Sequence, residues 1–196
     1  MSETFDHLIQ EIKNCRICEE HLPLEPRPIF QIAQQAKILI VGQAPGIRAH
    51  DANKPFNDPS GDRLRDWMGV NELTFYDPEK IALLPMGFCY PGTAERGDLP
   101  PRPECAQQWR PLLEHHLKDF ELTLLIGQYA IKWYLKKHMQ KNLTETVKSG
   151  SDYWPDYVPL PHPSPRNNIW LSKNPWFEVD VIAPLQLKIK SILDEK

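Results

Sequence analysis

Lys37-Ile38-Leu39-Ile40-Val41-Gly42-Gln43-Ala44-Pro45-Gly46 is the stretch that decides the fold. An unbroken apolar run that ends in a Gly/Pro turn reads as a short strand buried on both faces. Two more runs read the same way: Lys80 to Pro85, and Leu122 to Ile126 with Gly127 at its exit. A short fourth strand is expected near Tyr157–Leu160, feeding Pro161-His162-Pro163-Ser164-Pro165. Apolar Phe5, Leu8, Ile9 and Ile12 recur at helical spacing and predict an amphipathic helix over 4–14. Further helices are expected over 62–69, 105–118, 128–140 and 178–193, with a long loop before Pro59 and a Gly/Pro-dense loop over 86–104. Short buried strands alternating with helices predict an α/β domain with a mainly parallel sheet. In such sheets ligands bind beyond the carboxyl ends of the strands. Three segments fall there: Gly42–Gly46, Pro85–Cys89 and His162–Asn167.

The composition agrees with one globular domain over residues 1–196: 41% hydrophobic, 25% charged. Such values exclude a disordered chain, a collagen and a membrane bundle. Prolines number 20, roughly twice ordinary usage, so many loops have fixed paths. The formal net charge of −3 excludes nucleic-acid binding by bulk charge alone. No stretch approaches the ~20 apolar residues that span a bilayer. The polar start MSETFDHLIQEIKN has no signal-peptide core, so a cytoplasmic location and no membrane partner are expected.

Four cysteines in a reducing compartment are expected to be buried thiols or metal ligands rather than disulfides. Cys15 and Cys18 form a C-x2-C pair, and Cys89 and Cys105 bracket a proline-rich loop. That arrangement can supply four thiolates to one centre, and zinc and an iron–sulfur cluster both fit it. Gly42–Gly46 can bring backbone amides close to a ligand. It is neither a P-loop nor a dinucleotide fingerprint, since no Gly-Lys-Ser/Thr follows and its glycine spacing differs. His162, held between Pro161 and Pro163 at a strand end, suits a preorganised donor toward developing negative charge. Tyr157 to Phe177 contains no acidic residue, so this stretch can approach a phosphate backbone even in an acidic chain.

From Cys15 to about Phe177 the chain resembles the uracil-DNA glycosylase superfamily, closest to its iron–sulfur branch, family 4. The resemblance is carried by Cys15/Cys18, Gly42–Gly46, Pro55-Phe56 with Gly61–Leu64, Cys89/Cys105 around Arg102-Pro103, and His162–Ser164. It implies a three-layer α/β/α sandwich around a four-stranded sheet. It also implies a monomeric, monofunctional hydrolase of base-excision repair that flips a damaged base, uracil first, from DNA and cuts its N-glycosidic bond. By the match, His162 would donate to a uracil oxygen, with Gly42 and Gln43 lining the pocket and Phe56 stacking on the base. Ser60, Pro163, Ser164, Arg166 and Asn167 would contact the DNA, with Ser60 and Ser164 holding flanking phosphates and Arg166 or Asn167 filling the gap left in the stack. Cys15, Cys18, Cys89 and Cys105 would hold a structural [4Fe-4S] cluster, with zinc as the alternative.

The chain departs from the family pattern at three positions. Gln43 stands where iron–sulfur relatives carry Glu, and Pro85 where they carry an asparagine that reads the uracil edge. The acid that activates water in some branches is Ala44 here, and His50 and Asp51 are the nearest replacements. Proline has no side-chain hydrogen bond to offer, so a weakened or altered base preference is expected. The alternatives are a weak or inactive member that binds DNA or a damaged base, and a glycosylase for another deaminated base.

Overall fold

Every residue of β1 (Ile38–Val41) is buried, as an unbroken apolar run requires. β1 lies between β2 (Ile81–Leu83) and the later β5 (Leu122–Ile126), and β6 (Tyr157–Leu160) pairs with β5 on its far side. All three pairings are parallel, with Ile40 opposite Leu83 and Leu124, and Ile126 opposite Leu160. The computed structural model describes residues 4–95, 97–117 and 120–194.

Successive residues of a strand point to opposite faces, and both faces are covered. Ile38 and Ile40 pack with Leu64, Met68, Phe75, Val147, Leu185 and Ile189 in one core. Leu39 and Val41 pack with Leu8, Ile12, Trp109, Leu113 and Ile131 in the other. The first core receives α3 (Pro59–Met68), α4 (Glu72–Phe75), α7 (Leu143–Lys148) and α9 (Ala183–Asp194). The second receives α1 (Phe5–Lys13), α5 (Pro103–His116) and α6 (Gly127–Leu135). The result is the three-layer α/β/α sandwich with a four-stranded sheet, here wholly parallel. Each buried Leu, Ile or Phe in these cores contributes about 1.5–3 kcal/mol of apolar transfer free energy. The outer edge of β2 is closed by Gln31, whose backbone bridges Leu83 and whose amide donates to the Ile81 carbonyl at 2.8 Å.

Several boundaries shift for identifiable reasons. α3 starts at Pro59 rather than 62, because Asp58 caps it by accepting from Gly61 N–H at 2.9 Å, with proline in the first turn. The stretch expected as loop from Gly46 to Pro59 contains α2 (Ile47–Ala52). The loop over 86–104 contains a small antiparallel hairpin, β3 (Thr93–Ala94) with β4 (Gly97–Asp98). The sequence pattern missed α4 and α7, along with α8 (Asn168–Lys173), because each spans under two turns. The helix expected over 105–118 is α5, and its expected end at residue 118 lies outside the described residues. The last helix begins with a π-helical turn, Glu178–Ile182, before α9.

Candidate active site

The strand order places a crevice where β1 has neighbours from different parts of the chain on its two sides. A cleft of about 650 Å3 opens there, at the carboxyl ends of β1, β2, β5 and β6. Gly42 to Gly46 form its floor after β1, and Pro85 follows β2. Gln128 follows β5, and His162 follows β6. Phe56, Asp58 and Ser60 close one side, Gly97 and Asp98 of the hairpin another, and Ser164 to Asn167 a third. A groove of about 710 Å3 between α3 and α9 is larger, but it lacks converging catalytic side chains.

His162 is held in a single orientation. Ser164 N–H donates to its Nδ1 at 3.2 Å, and the Asn167 amide donates to its carbonyl at 2.7 Å. An Nδ1 that accepts a hydrogen bond leaves the neutral ring's proton on Nε2, which becomes its donor. Burial holds the imidazole below its ordinary pKa of 6.5. Asp58 and Asp98 pull in the opposite direction, and Arg166 adds to the lowering. Arg63 from α3 fixes the same turn, donating to the Ser164 carbonyl at 3.1 Å and to Asn168 Oδ1 at 2.8 Å.

Phe56 sits at a positive φ of 53°, rare for an aromatic residue. Tyr76 holds that conformation by donating toward the Pro55 and Phe56 carbonyls at 3.0 and 3.2 Å. The Phe56 ring lies against Gly42, where an added methyl would meet the ring at 3.1 Å. The ring is thus held at the base of the cleft with its Cζ edge toward Gly42.

Gln43 explains one departure from the family pattern. Its Nε2 donates to the Leu99 carbonyl at 3.0 Å, tethering the β3–β4 hairpin over the cleft. An ionised glutamate has no proton to give there. A Gln43→Glu variant is expected to lose about 1 kcal/mol of stability. Amide hydrogen exchange should accelerate in residues 97–99, and an unchanged pattern there would refute the tether.

Pro85 is fixed by a residue the sequence did not single out. Arg110 is buried and donates to the Leu84 carbonyl and, at 2.9 Å, to that of Pro85, while Tyr134 hydroxyl takes another of its protons at 2.7 Å. The exit of β2 therefore offers the cleft an apolar ring, with its carbonyl already engaged.

The structure brings most of the sequence-derived residues together: Gly42, Gln43, Ala44, Phe56, Ser60, Pro85, His162, Ser164, Arg166 and Asn167 all line the cleft. Pro163 is buried behind it. His50 and Asp51 are not among the lining residues. His50 is buried on α2, with its ring 6.0 Å from that of Tyr90, and Asp51 faces solvent. Asp58, Asp98 and Gln128 line the cleft without having been singled out. Only Asp58 carried a legible signal, as an Asp-Pro helix start.

A family model described as the uracil DNA glycosylase superfamily matches residues 29–186. The chain belongs to the uracil DNA glycosylase superfamily. Membership assigns it a glycosylase-type function in general. The superfamily match begins after Cys15 and Cys18, so it leaves the cysteine set to be judged from geometry.

All four cysteines of this superfamily member line one cavity, with Leu22, Pro26, Pro28, Phe88, Arg102 and Trp109. Trp109 Nε1 donates to Cys15 Sγ at 3.3 Å, and Phe88 N–H to Cys105 Sγ at 3.4 Å. Burial pushes the Cys105 thiol up to about 12 and Cys89 up to about 11. Four soft donors with N–H···S bonds in an apolar shell suit a thiophilic metal centre. Among the described residues, no group of three or more His, Cys, Asp or Glu is drawn together as for a single bound ion. The cavity adjoins the cleft: Met86 and Gly87 N–H donate to the Gly42 and Gln43 carbonyls at 2.9 and 3.0 Å, and Gly87 lies two residues before Cys89. No helix among the described residues is long and apolar enough to cross a membrane.

Proposed function

We propose that this chain is a monofunctional DNA glycosylase that flips a damaged base, uracil first, into the cleft and hydrolyses its N-glycosidic bond. The orientation of His162 carries this reading: a neutral ring whose Nδ1 accepts from Ser164 N–H, which leaves the Nε2 proton to donate, in the wall of the cleft. As the bond breaks, its electron pair leaves with the base and positive charge grows on the sugar. The Nε2 proton is a fixed donor to the oxygen where that negative charge collects. Phe56 supplies a stacking face for the extruded base. Ser60 and Ser164 would hold flanking phosphates, and Arg166 would enter the stack. Asn167 has its amide engaged with the His162 carbonyl. The partner is therefore DNA containing a damaged base, bound by local contacts despite the net charge of −3.

At the exits of β1 and β2 the base-reading side offers few side-chain donors: the Gln43 amide gives one of its protons to the Leu99 carbonyl, and the Pro85 side chain has none. A site that cannot hydrogen-bond a base edge discriminates weakly, so related deaminated bases should also be accepted. The test is incubation with duplexes carrying a single uracil, hypoxanthine, xanthine or mismatched thymine, followed by alkaline cleavage of abasic sites. Strand scission with any of them supports a glycosylase. Tight binding with no scission would replace the enzyme with a non-cleaving binder of damaged DNA.

For the cysteine cavity we favour a [4Fe-4S] cluster over zinc. One zinc ion needs all four sulfurs about 2.3 Å from a single point, whereas a cubane gives each thiolate its own iron and a wider spread. Its role is structural, pinning the loop after β2 beside the base cleft. Cys15, Cys18, Cys89 and Cys105 would be its ligands. Protein purified without oxygen should be brown and hold about four irons per chain. Stoichiometric zinc, or no metal, would overturn the assignment.

A further inference from the structure

The cleft has an imidazole for the departing base, yet neither residue expected to serve the attacking water reaches it. Two carboxylates do. A methyl added at Gly46 would lie 3.2 Å from Asp98 Oδ2 and 4.0 Å from Asp58 Oδ2, so both acids converge on one corner of the cleft. They differ in how firmly they are held. Asp98 lies exposed on the two-residue strand β4 and accepts a long 3.4 Å hydrogen bond from Thr93. Asp58 is half-buried at the start of α3, and its Oδ1 accepts from Gly61 N–H at 2.9 Å. That bond fixes the carboxylate plane and leaves Oδ2 for the cleft.

We propose that Asp58 is the catalytic carboxylate that positions and deprotonates the hydrolytic water. The inference rests on the glycosylase reading above and deepens it. As the C1′–N bond breaks, the anionic carboxylate faces the sugar cation. The water oxygen forms the new bond to C1′, and its proton passes to Asp58 Oδ2 and then to solvent. The base leaves with the electron pair and is reprotonated after release, so charge and atoms balance. Asp58 is fixed before substrate arrives, as general-base geometry requires.

Asp58→Asn removes the charge but keeps the cap, since asparagine and aspartate cap helices about equally. On the substrate the wild-type protein cuts fastest, its single-turnover rate is expected to fall about 10²-fold or more. Thermal stability and affinity for an abasic-site duplex should stay close to wild type. Asp51→Asn, at a carboxylate that faces solvent outside the cleft, should cut within about threefold of wild type, a surface-scale change. If Asp58→Asn cuts at near wild-type rate, or Asp98→Asn suffers the larger loss, the assignment is overturned. A wild-type protein that cleaves none of the bases overturns the glycosylase reading itself, which is a different result.

Discussion

A His162→Ala variant should release base about 10²–10³-fold more slowly than wild type in single-turnover assays, equivalent to about 2.7–4 kcal/mol of transition-state stabilisation. The loss is that of one preorganised donor aimed at developing charge, so it should appear in the rate of the chemical step. Affinity for an abasic-site duplex, which carries no base, should be nearly unchanged. His162→Gln supplies an N–H without the imidazole's fixed tautomer and should recover part of the rate. The pH profile gives a second check. Burial depresses the folded-state pKa below 6.5, so the neutral ring dominates at and above neutrality and activity should be flat there. Activity should fall on acidification below pH 6.5 as Nδ1 is protonated and the Ser164 N–H bond is lost. The stability term has the same sign: it is present above the unfolded pKa and lost as pH drops through the folded one. Equal cleavage by His162→Ala would remove the foundation of the proposed mechanism.

The largest stability effect is expected at Gly61. A methyl there would collide with the carbonyl oxygen of Phe56, with the carbonyl carbon at 2.8 Å and the Phe56 Cβ at 2.9 Å. The obstacle is mainly backbone, held from the other side by Tyr76, so no flexible side chain can swing away. Overpacking of this kind costs about 1–3 kcal/mol or more. For a chain of this size Gly61→Ala should lower the melting temperature by roughly 2–12 °C, at about 2–4 °C per kcal/mol. Relief of the clash also displaces Phe56, so cleavage should fall beyond what the stability loss explains. Gly150 is the control, because an added methyl meets nothing within 4 Å. A Gly61→Ala protein that melts with wild type would show that the Phe56 turn is softer than its hydrogen bonds imply.

The strands were legible because burial on both faces leaves an unbroken apolar run that needs no context. Ile38–Val41, Ile81–Leu83 and Leu122–Ile126 satisfy that condition, and the exits of β1, β2 and β6 located Gly42, Pro85 and His162 before any contact was known. The short elements were not legible. α2, α4 and the β3–β4 hairpin depend on caps, tethers and neighbours rather than on periodicity. The candidate site divides along the same line. Its glycines, prolines and histidine announced themselves by local chemistry at strand ends, and the cysteines by their order. Which acid faces the imidazole was a tertiary matter. His50 and Asp51 are near Gly46 in sequence, but the helical path of α2 buries one and turns the other to solvent. Asp58 and Asp98 are far from His162 along the chain and reach the cleft because a helix cap and a hairpin deliver them. Sequence determined the sheet, its order of turns and the imidazole. Only packing decided which carboxylates, arginines and amides surround it, because such contacts join segments whose separation along the chain says nothing of their distance in space.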